Sequence, residues 1–103
     1  MNGALLMAVG GITIEDNVMV AAHAKIITNN QDPYQRSVLT CKPVVIKKGA
    51  WIGVAATILP GVTIGEYAIV GSDSVVTNDI LPYAVAVGSP AKVIKFLDKE
   101  KFK

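Results

Sequence analysis

The side chains best suited to proton transfer or metal binding are scarce in this sequence. It contains one histidine, His23, and one cysteine, Cys41. Histidine has an ordinary pKa near neutrality, so His23 is the only imidazole that could act as a general base. A catalytic zinc site usually needs several histidine, cysteine or carboxylate ligands, and one histidine with one cysteine falls short. We therefore predict no metal site, and a lone cysteine excludes an internal disulfide bond.

Positive charge is concentrated at the end of the chain. The last dozen residues contain five lysines, which are Lys92, Lys95, Lys99, Lys101 and Lys103. Only Asp98 and Glu100 offset them, yet the formal net charge of the whole chain is +2. A charge this small, spread over most of the chain, does not predict a nucleic-acid surface. A solvated helix face explains most of the cluster.

The composition indicates a densely packed domain. The chain has 103 residues, of which 51% are hydrophobic and 17% charged, and its mean hydropathy is +0.46. These values are too apolar for a disordered segment. The apolar run over residues 3–14 lacks a basic leader and is too short to cross a bilayer, so we predict a cytoplasmic protein without a membrane partner. A core this small favours repetition or oligomerisation.

A six-residue period organises most of the chain. Aliphatic residues recur at Ile46, Ile52, Ile58, Ile64, Val70 and Val76, and the same step appears upstream at Ile14, Val20 and Ile26. Six is neither the helical period nor the strand period, which favours short strands joined by tight corners. Three hexads close one triangular coil, and successive coils stack at the strand spacing. The pattern predicts Ile46 under Ile64, Ile52 under Val70 and Ile58 under Val76.

Two segments depart from the period. Residues 28–43 are polar and too long for one hexad, so we predict that they leave the coil as a loop and return in register. After residues 88–90, an apolar stripe of Val93, Ile94 and Leu97 predicts a helix that caps the open end of the solenoid. The predicted organisation is therefore a β-helix over residues 1–90 with an inserted loop at 28–43, followed by a capping helix at 91–103.

Four motifs carry a resemblance to a known family. They are W-I-G at Trp51, I-L-P-G-V-T-I-G at Ile58, V-V-T at Val75 and G-S-P-A-K-V-I at Gly88. In order and spacing they resemble the galactoside and maltose O-acetyltransferases of the hexapeptide-repeat acyltransferase family. The resemblance implies an all-β, left-handed parallel β-helix and a homotrimer. It also implies acetyl-CoA bound between neighbouring subunits, a sugar-like hydroxyl acceptor and a loop histidine as general base.

The family's catalytic position is occupied by Gln31. An amide cannot accept a proton at neutral pH, so Gln31 could orient a hydroxyl group but not deprotonate it. Three explanations stay open: a natural loss of activity, an inactivating substitution, or an offset in the placement of the loop. His23 is the alternative base, although the resemblance places an ordinary turn residue there.

The resemblance also implies a set of coenzyme A contacts. The matching positions are Val54, Ser72, Thr77, Asn78, Lys92 and Lys95, and Trp51 would wall the acyl pocket. Family members commonly have a basic residue in place of Asn78 and arginines in place of both lysines. A lysine pairs with phosphate as a point charge without the bidentate fork of arginine, which predicts weaker nucleotide binding. The structural alternative is that these residues form corner turns and keep the chain end soluble.

Two classes of function follow. The first is an acetyl-CoA-dependent O-acetyltransferase whose activity is impaired or lost at Gln31. The second is a non-catalytic trimeric β-helix that serves as a scaffold or a coenzyme A binding module. Metal-dependent chemistry of the carbonic anhydrase type is disfavoured, because the sequence has too few histidine and cysteine ligands for a catalytic zinc ion. Family members carry an N-terminal helical segment and extra coils that contact the acceptor. We therefore expect either a fragment of a longer protein or a minimal member whose acceptor site is largely absent.

Overall fold

The chain is built almost wholly from short strands. A computed structural model describes residues 5–7, 11–31 and 39–102. Within them lie fourteen strands and one 3-10 helix. They are β1 (Leu5–Met7), β2 (Ile12–Ile14), β3 (Met19–Val20), β4 (Lys25–Ile27), β5 (Asn29–Gln31), β6 (Leu39–Cys41), β7 (Val44–Ile46), β8 (Trp51–Ile52), β9 (Thr57–Ile58), β10 (Thr63–Ile64), β11 (Ile69–Val70), β12 (Val75–Val76), β13 (Ala84–Gly88), β14 (Ala91–Phe96) and the 3-10 helix Lys99–Phe102.

The strands form the three faces of a parallel β-helix. The first face has the order β1-β4-β9-β12, the second β10-β7-β2, and the third β14-β13-β11-β8-β3. Ile80 extends the second face by pairing with Ile64. Successive strands of the repeat visit the faces in turn, so each coil is a triangle and hydrogen bonds run between coils. This is the solenoid that the six-residue period predicts.

The core consists of aliphatic columns inside the triangle. Ile64 pairs with Ile46, Val70 with Ile52, and Val76 with Ile58. All six side chains are fully buried, so the predicted stacking is confirmed. The small residues at the other inward positions are buried as well, for example Ala50, Ala56 and Ala68. Large and small inward residues alternate, which suits a narrow interior because folded cores are closely packed.

Two corners of the triangle position the candidate site. The Ser72 corner joins the third face to the first and contains residues 21–24, 53–56 and 71–74 in successive coils. Its turns are tied together by backbone bonds, because Ala55 N donates to Ala22 O at 3.1 Å and Asp73 N donates to Val54 O at 2.9 Å. The Asn78 corner joins the first face to the second and contains Thr28 and residues 60–61 and 77–79.

The described ends of the predicted excursion at residues 28–43 form an antiparallel strand pair at the Asn78 corner, called the hairpin below. Strands β5 and β6 pair antiparallel, with Asn29 opposite Cys41 and Gln31 opposite Leu39. Lys42 N donates to Thr28 O at 2.8 Å, which closes the base of the hairpin before the chain enters β7. The hairpin therefore leaves the coil and returns to it without breaking the register of the columns.

The helix predicted from residue 91 is wrong. Residues 91–96 form β14, which runs antiparallel to β13, and only Lys99–Phe102 turn as a 3-10 helix. Strand β13 would otherwise leave its backbone groups unpaired at the end of the third face. Val93, Ile94 and Phe96 also favour an extended chain over a helix.

Among the described residues there is no helix long and apolar enough to cross a membrane.

Candidate functional site

A shallow apolar groove runs along the outside of the third face. Because side chains alternate along each strand, Ile52 and Val70 point into the core while Trp51 and Ile69 point outward. Trp51 is 49% exposed and stands as one wall of a groove of about 250 Å³. The groove is lined by Ala21, Trp51, Gly53, Val54, Ile69, Val70, Gly71 and Ser72. Three residues predicted to contact coenzyme A, namely Trp51, Val54 and Ser72, therefore meet in one place.

Two glycines form the floor of this groove. An ideal Cβ on Gly53 would lie 2.7 Å from Val70 O, and one on Gly71 would lie 2.6 Å from Val87 Cγ1. Larger residues would force the coils apart at the Ser72 corner, so the glycines permit close stacking and leave the groove open. No role at this groove was predicted for either glycine. Two features of the sequence could have revealed this role. Each glycine directly follows an inward aliphatic residue, and the two glycines are one full coil apart.

A β-bulge brings both candidate lysines to the groove side of the sheet. Lys92 pairs with Val87 and Lys95 with Val85, and the register shifts between these pairs so that Ile94 is the extra residue. Paired residues point to the same side of a sheet, and Val85 pairs with the outward Ile69. Lys92 and Lys95 therefore share the outer side with Trp51, although residues three apart on a regular strand would face opposite sides.

The turn that leads into β14 is anchored next to the Ser72 corner. Ser74 is buried, and its Oγ accepts a hydrogen bond from Gly88 N at 3.1 Å. Val87 meanwhile lies directly over Gly71. Lys92, opposite Val87, is thus held two layers beyond Ser72. The third face consequently carries an apolar groove with two exposed ammonium groups at one end, which suits a ligand with an apolar arm and an anionic head.

Thr77 and Asn78 do not lie at this groove. They follow β12 at the Asn78 corner, whereas Ser72 precedes that strand. Both residues are exposed, and Asn78 Nδ2 donates to Thr77 Oγ1 at 3.4 Å. Within one copy of the chain these two predicted contacts are therefore separated from Trp51, Val54 and Ser72 by the width of the first face.

The two candidates for the general base occupy different corners. The backbone of Gln31 lies on β5 of the hairpin that leaves the Asn78 corner, and its side chain lies outside the described residues. His23 is exposed at the Ser72 corner, where it adopts a φ of 61°. Positive φ recurs at the turns of the coils, as at Ala55 and Asp73 in the same corner, so the conformation of His23 is that of a turn residue.

Metal ligands do not converge in the described part of the chain. No group of three or more histidine, cysteine, aspartate or glutamate side chains is placed to hold an ion among the residues that the structure describes.

Known proteins share both the repeat and the fold. Residues 43–78 match the family model for the bacterial transferase hexapeptide (six repeats). A Schizosaccharomyces pombe protein, named only provisionally as an acetyltransferase, is 39% identical over 93 residues, which cover 86% of this chain and 45% of that protein.

Two solved structures extend the similarity. A galactoside acetyltransferase in complex with coenzyme A has a TM-score of 0.89 and 31% identity, covering 96% of this chain and 52% of that one. A maltose O-acetyltransferase from Clostridium difficile has a TM-score of 0.83 and 37% identity, covering 94% and 57%. The predicted resemblance and the left-handed parallel β-helix are therefore confirmed. The chain spans about half the length of these relatives.

Proposed function

Because this chain carries the hexapeptide repeat of bacterial transferases on a left-handed β-helix, we propose that it is an acetyltransferase that uses acetyl-CoA as donor. The observation that carries the proposal is the groove beside Trp51 with Lys92 and Lys95 at one end. Coenzyme A combines charged phosphates with a long, uncharged pantetheine arm, so its two parts match the two parts of this surface. The galactoside acetyltransferase that shares the fold was solved with coenzyme A.

The phosphates of the donor would lie against the lysines. Lys92 and Lys95 are exposed ammonium groups on one side of the sheet, and each can act as a point charge toward a phosphate. The pantetheine arm would then follow the groove past Ser72 and Val54 to Trp51. In this arrangement the thioester lies beside the indole ring, which supplies a large apolar wall.

We propose that the active unit is a homotrimer. The predicted contacts fall into two groups in one chain, with Trp51, Val54 and Ser72 at the groove and Thr77 and Asn78 at the other corner. A second copy that presents its Asn78 corner to the groove would unite the groups, and it would also bring its own hairpin with Gln31. The site is incomplete without this partner. Sedimentation at micromolar concentration should give three times the chain mass of 10.8 kDa.

The acceptor would be a sugar-like hydroxyl group. In the transfer, a base removes the hydroxyl proton and the oxygen attacks the thioester carbonyl to form an ester bond. The C–S bond breaks, and the base returns the proton to the sulfur, so that coenzyme A leaves as the thiol. Gln31 cannot remove a proton, so we propose that turnover is impaired or lost. The same substitution favours the second function, a coenzyme A binding module that keeps the solenoid without catalysis.

Calorimetric titration with coenzyme A tests the proposal. The double variant Lys92→Glu, Lys95→Glu should bind about tenfold more weakly at low ionic strength, because reversing two exposed charges replaces attraction to phosphate with repulsion. The loss should shrink as salt is added, since exposed charges are screened over about 10 Å at 0.1 M salt.

A matched control is available on the same chain. Lys47 and Lys48 are also exposed and adjacent in space, but they follow the second face and lie away from the groove. The variant Lys47→Glu, Lys48→Glu carries the same change of net charge and should bind coenzyme A as the unmodified chain does. Equal losses in both variants would assign the effect to overall charge and remove the lysines from the site. An absence of coenzyme A binding in the unmodified chain would reject the proposed function itself.

A further inference from the structure

Trp51 separates two grooves on the third face. Beyond the groove described above, a second groove of about 260 Å³ lies on the other side of the indole ring. It is lined by Val18, Met19, Val20, Ala21 and Trp51. None of these side chains is ionisable, and Met19 is 61% exposed. A depression of this size whose lining side chains are uncharged and mainly apolar suits hydrocarbon rather than a phosphate.

The two grooves and the lysines lie in one line. Lys95, Val85, Ile69, Trp51 and Met19 are consecutive register partners across the five strands of the third face. Three strand spacings, roughly 14 Å, separate the lysine strand from Trp51, and one further spacing of about 5 Å leads to Met19. A donor whose phosphates lie at the lysines and whose arm follows the first groove therefore delivers its acyl end to the second groove.

We propose that this second groove, the acyl groove, binds the acyl chain of the donor and accepts straight chains longer than acetyl. The inference rests on the proposed function, because the direction of the donor follows from its phosphates. Burying each additional methylene in an apolar groove tightens binding about fourfold. Met19 is unbranched and can change rotamer to fit chains of different length, so it would determine how long a chain the groove accepts.

Calorimetric titration of the unmodified chain with acetyl-CoA, butyryl-CoA and hexanoyl-CoA tests the inference. Affinity should rise with chain length by about fourfold per methylene until the groove is filled. Met19→Trp places a bulky ring in the acyl groove and should abolish this rise. Leu81→Trp is the matched control, because Leu81 is also an exposed apolar residue, with the same 61% exposure, and lies away from both grooves. It should leave the rise intact.

The possible results separate the two proposals. If coenzyme A binds but affinity does not depend on acyl length, the acyl groove is refuted while the proposed function stands. The acyl groove is also refuted if the rise in affinity persists in Met19→Trp, or if Leu81→Trp abolishes that rise as well. If none of the thioesters binds, the proposed function fails and the acyl groove fails with it.

Discussion

Ile58 is the residue whose replacement tests the solenoid most directly. It lies on β9 in the middle of the column on the first face, with Ile26 and Val76 as its register partners in the neighbouring coils. All three side chains are fully buried. Ile58→Ala removes three carbon atoms from the centre of a stack whose neighbours are held in place by the coils on either side.

The expected cost follows from burial and from the cavity. Three buried carbons at about 0.8 kcal/mol each give roughly 2.4 kcal/mol of lost transfer free energy. The rigid ladder limits collapse around the site, so a residual cavity should add to that cost and bring the loss of unfolding free energy to about 3–5 kcal/mol. Loss on this scale is a large part of the total stability of a small domain.

Urea unfolding monitored by circular dichroism measures the effect. Protein concentration must be held constant, because oligomer formation would add a concentration-dependent contribution to stability. Thr57→Ala is the control on the same strand, since Thr57 precedes Ile58 and points outward with its side chain half-buried. It should cost less than about 1 kcal/mol.

The comparison of these two variants can refute the described register. A one-residue slip of a strand exchanges its inward and outward side chains. If Thr57→Ala proved more destabilising than Ile58→Ala, the inward set of β9 would be wrong, and with it the assignment of outward residues to the grooves. A cost below 1 kcal/mol for Ile58→Ala would show that the column does not hold the coils together.

Further predictions concern catalysis and the corners. Gln31→His should raise acetyl transfer on the order of 10²–10⁴-fold in a thiol-release assay with simple sugars. His23→Ala should leave the rate of acetyl transfer unchanged, and a lower rate in that variant would make His23 the base. Gly65→Ala should lower the unfolding free energy measured in urea by about 1–3 kcal/mol, because its Cβ would lie 2.7 Å from backbone atoms of the next coil. An unchanged urea midpoint would contradict this close contact between the coils. Ser74→Ala should cost about 1–3 kcal/mol by the same measurement, because it orphans Gly88 N, and no cost would mean that water replaces the hydroxyl.

The sequence predicted the repeat because its physics is local and regular. Each hexad contains one inward aliphatic residue, and only a coil of three short strands brings such residues into register at every turn. Ile46, Ile52 and Ile58 could therefore be assigned to columns from the sequence alone. The handedness could not be derived in this way, since parallel crossovers are normally right-handed, and it came from the family resemblance alone.

The chain end shows where pattern reasoning failed. Val93, Ile94 and Leu97 have the spacing of a helical stripe, yet residues 91–96 form a strand. A periodic pattern describes only the segment itself, whereas the open edge of β13 is a property of the assembled solenoid and offers a ladder of hydrogen bonds to whatever follows. Tertiary pairing, together with the strand propensity of Val93 and Ile94, therefore outweighed the helical spacing.

The residues of the candidate site were named from the sequence, but their grouping was not. Trp51, Val54 and Ser72 lie at one groove, while Thr77 and Asn78 lie at another corner. The six-residue period assigns each residue to a strand or a corner, but it does not indicate which corners one ligand can contact. Nor could the sequence reveal that Ile94 bulges out of β14 and so turns Lys92 and Lys95 to the same side as Trp51.

The repeat and its columns are encoded in each hexad, because burial of one aliphatic side chain per strand is a local requirement. The groove, its glycine floor and its pair of lysines exist only where separate coils meet, because close backbone approach and strand pairing depend on residues that are distant in the chain.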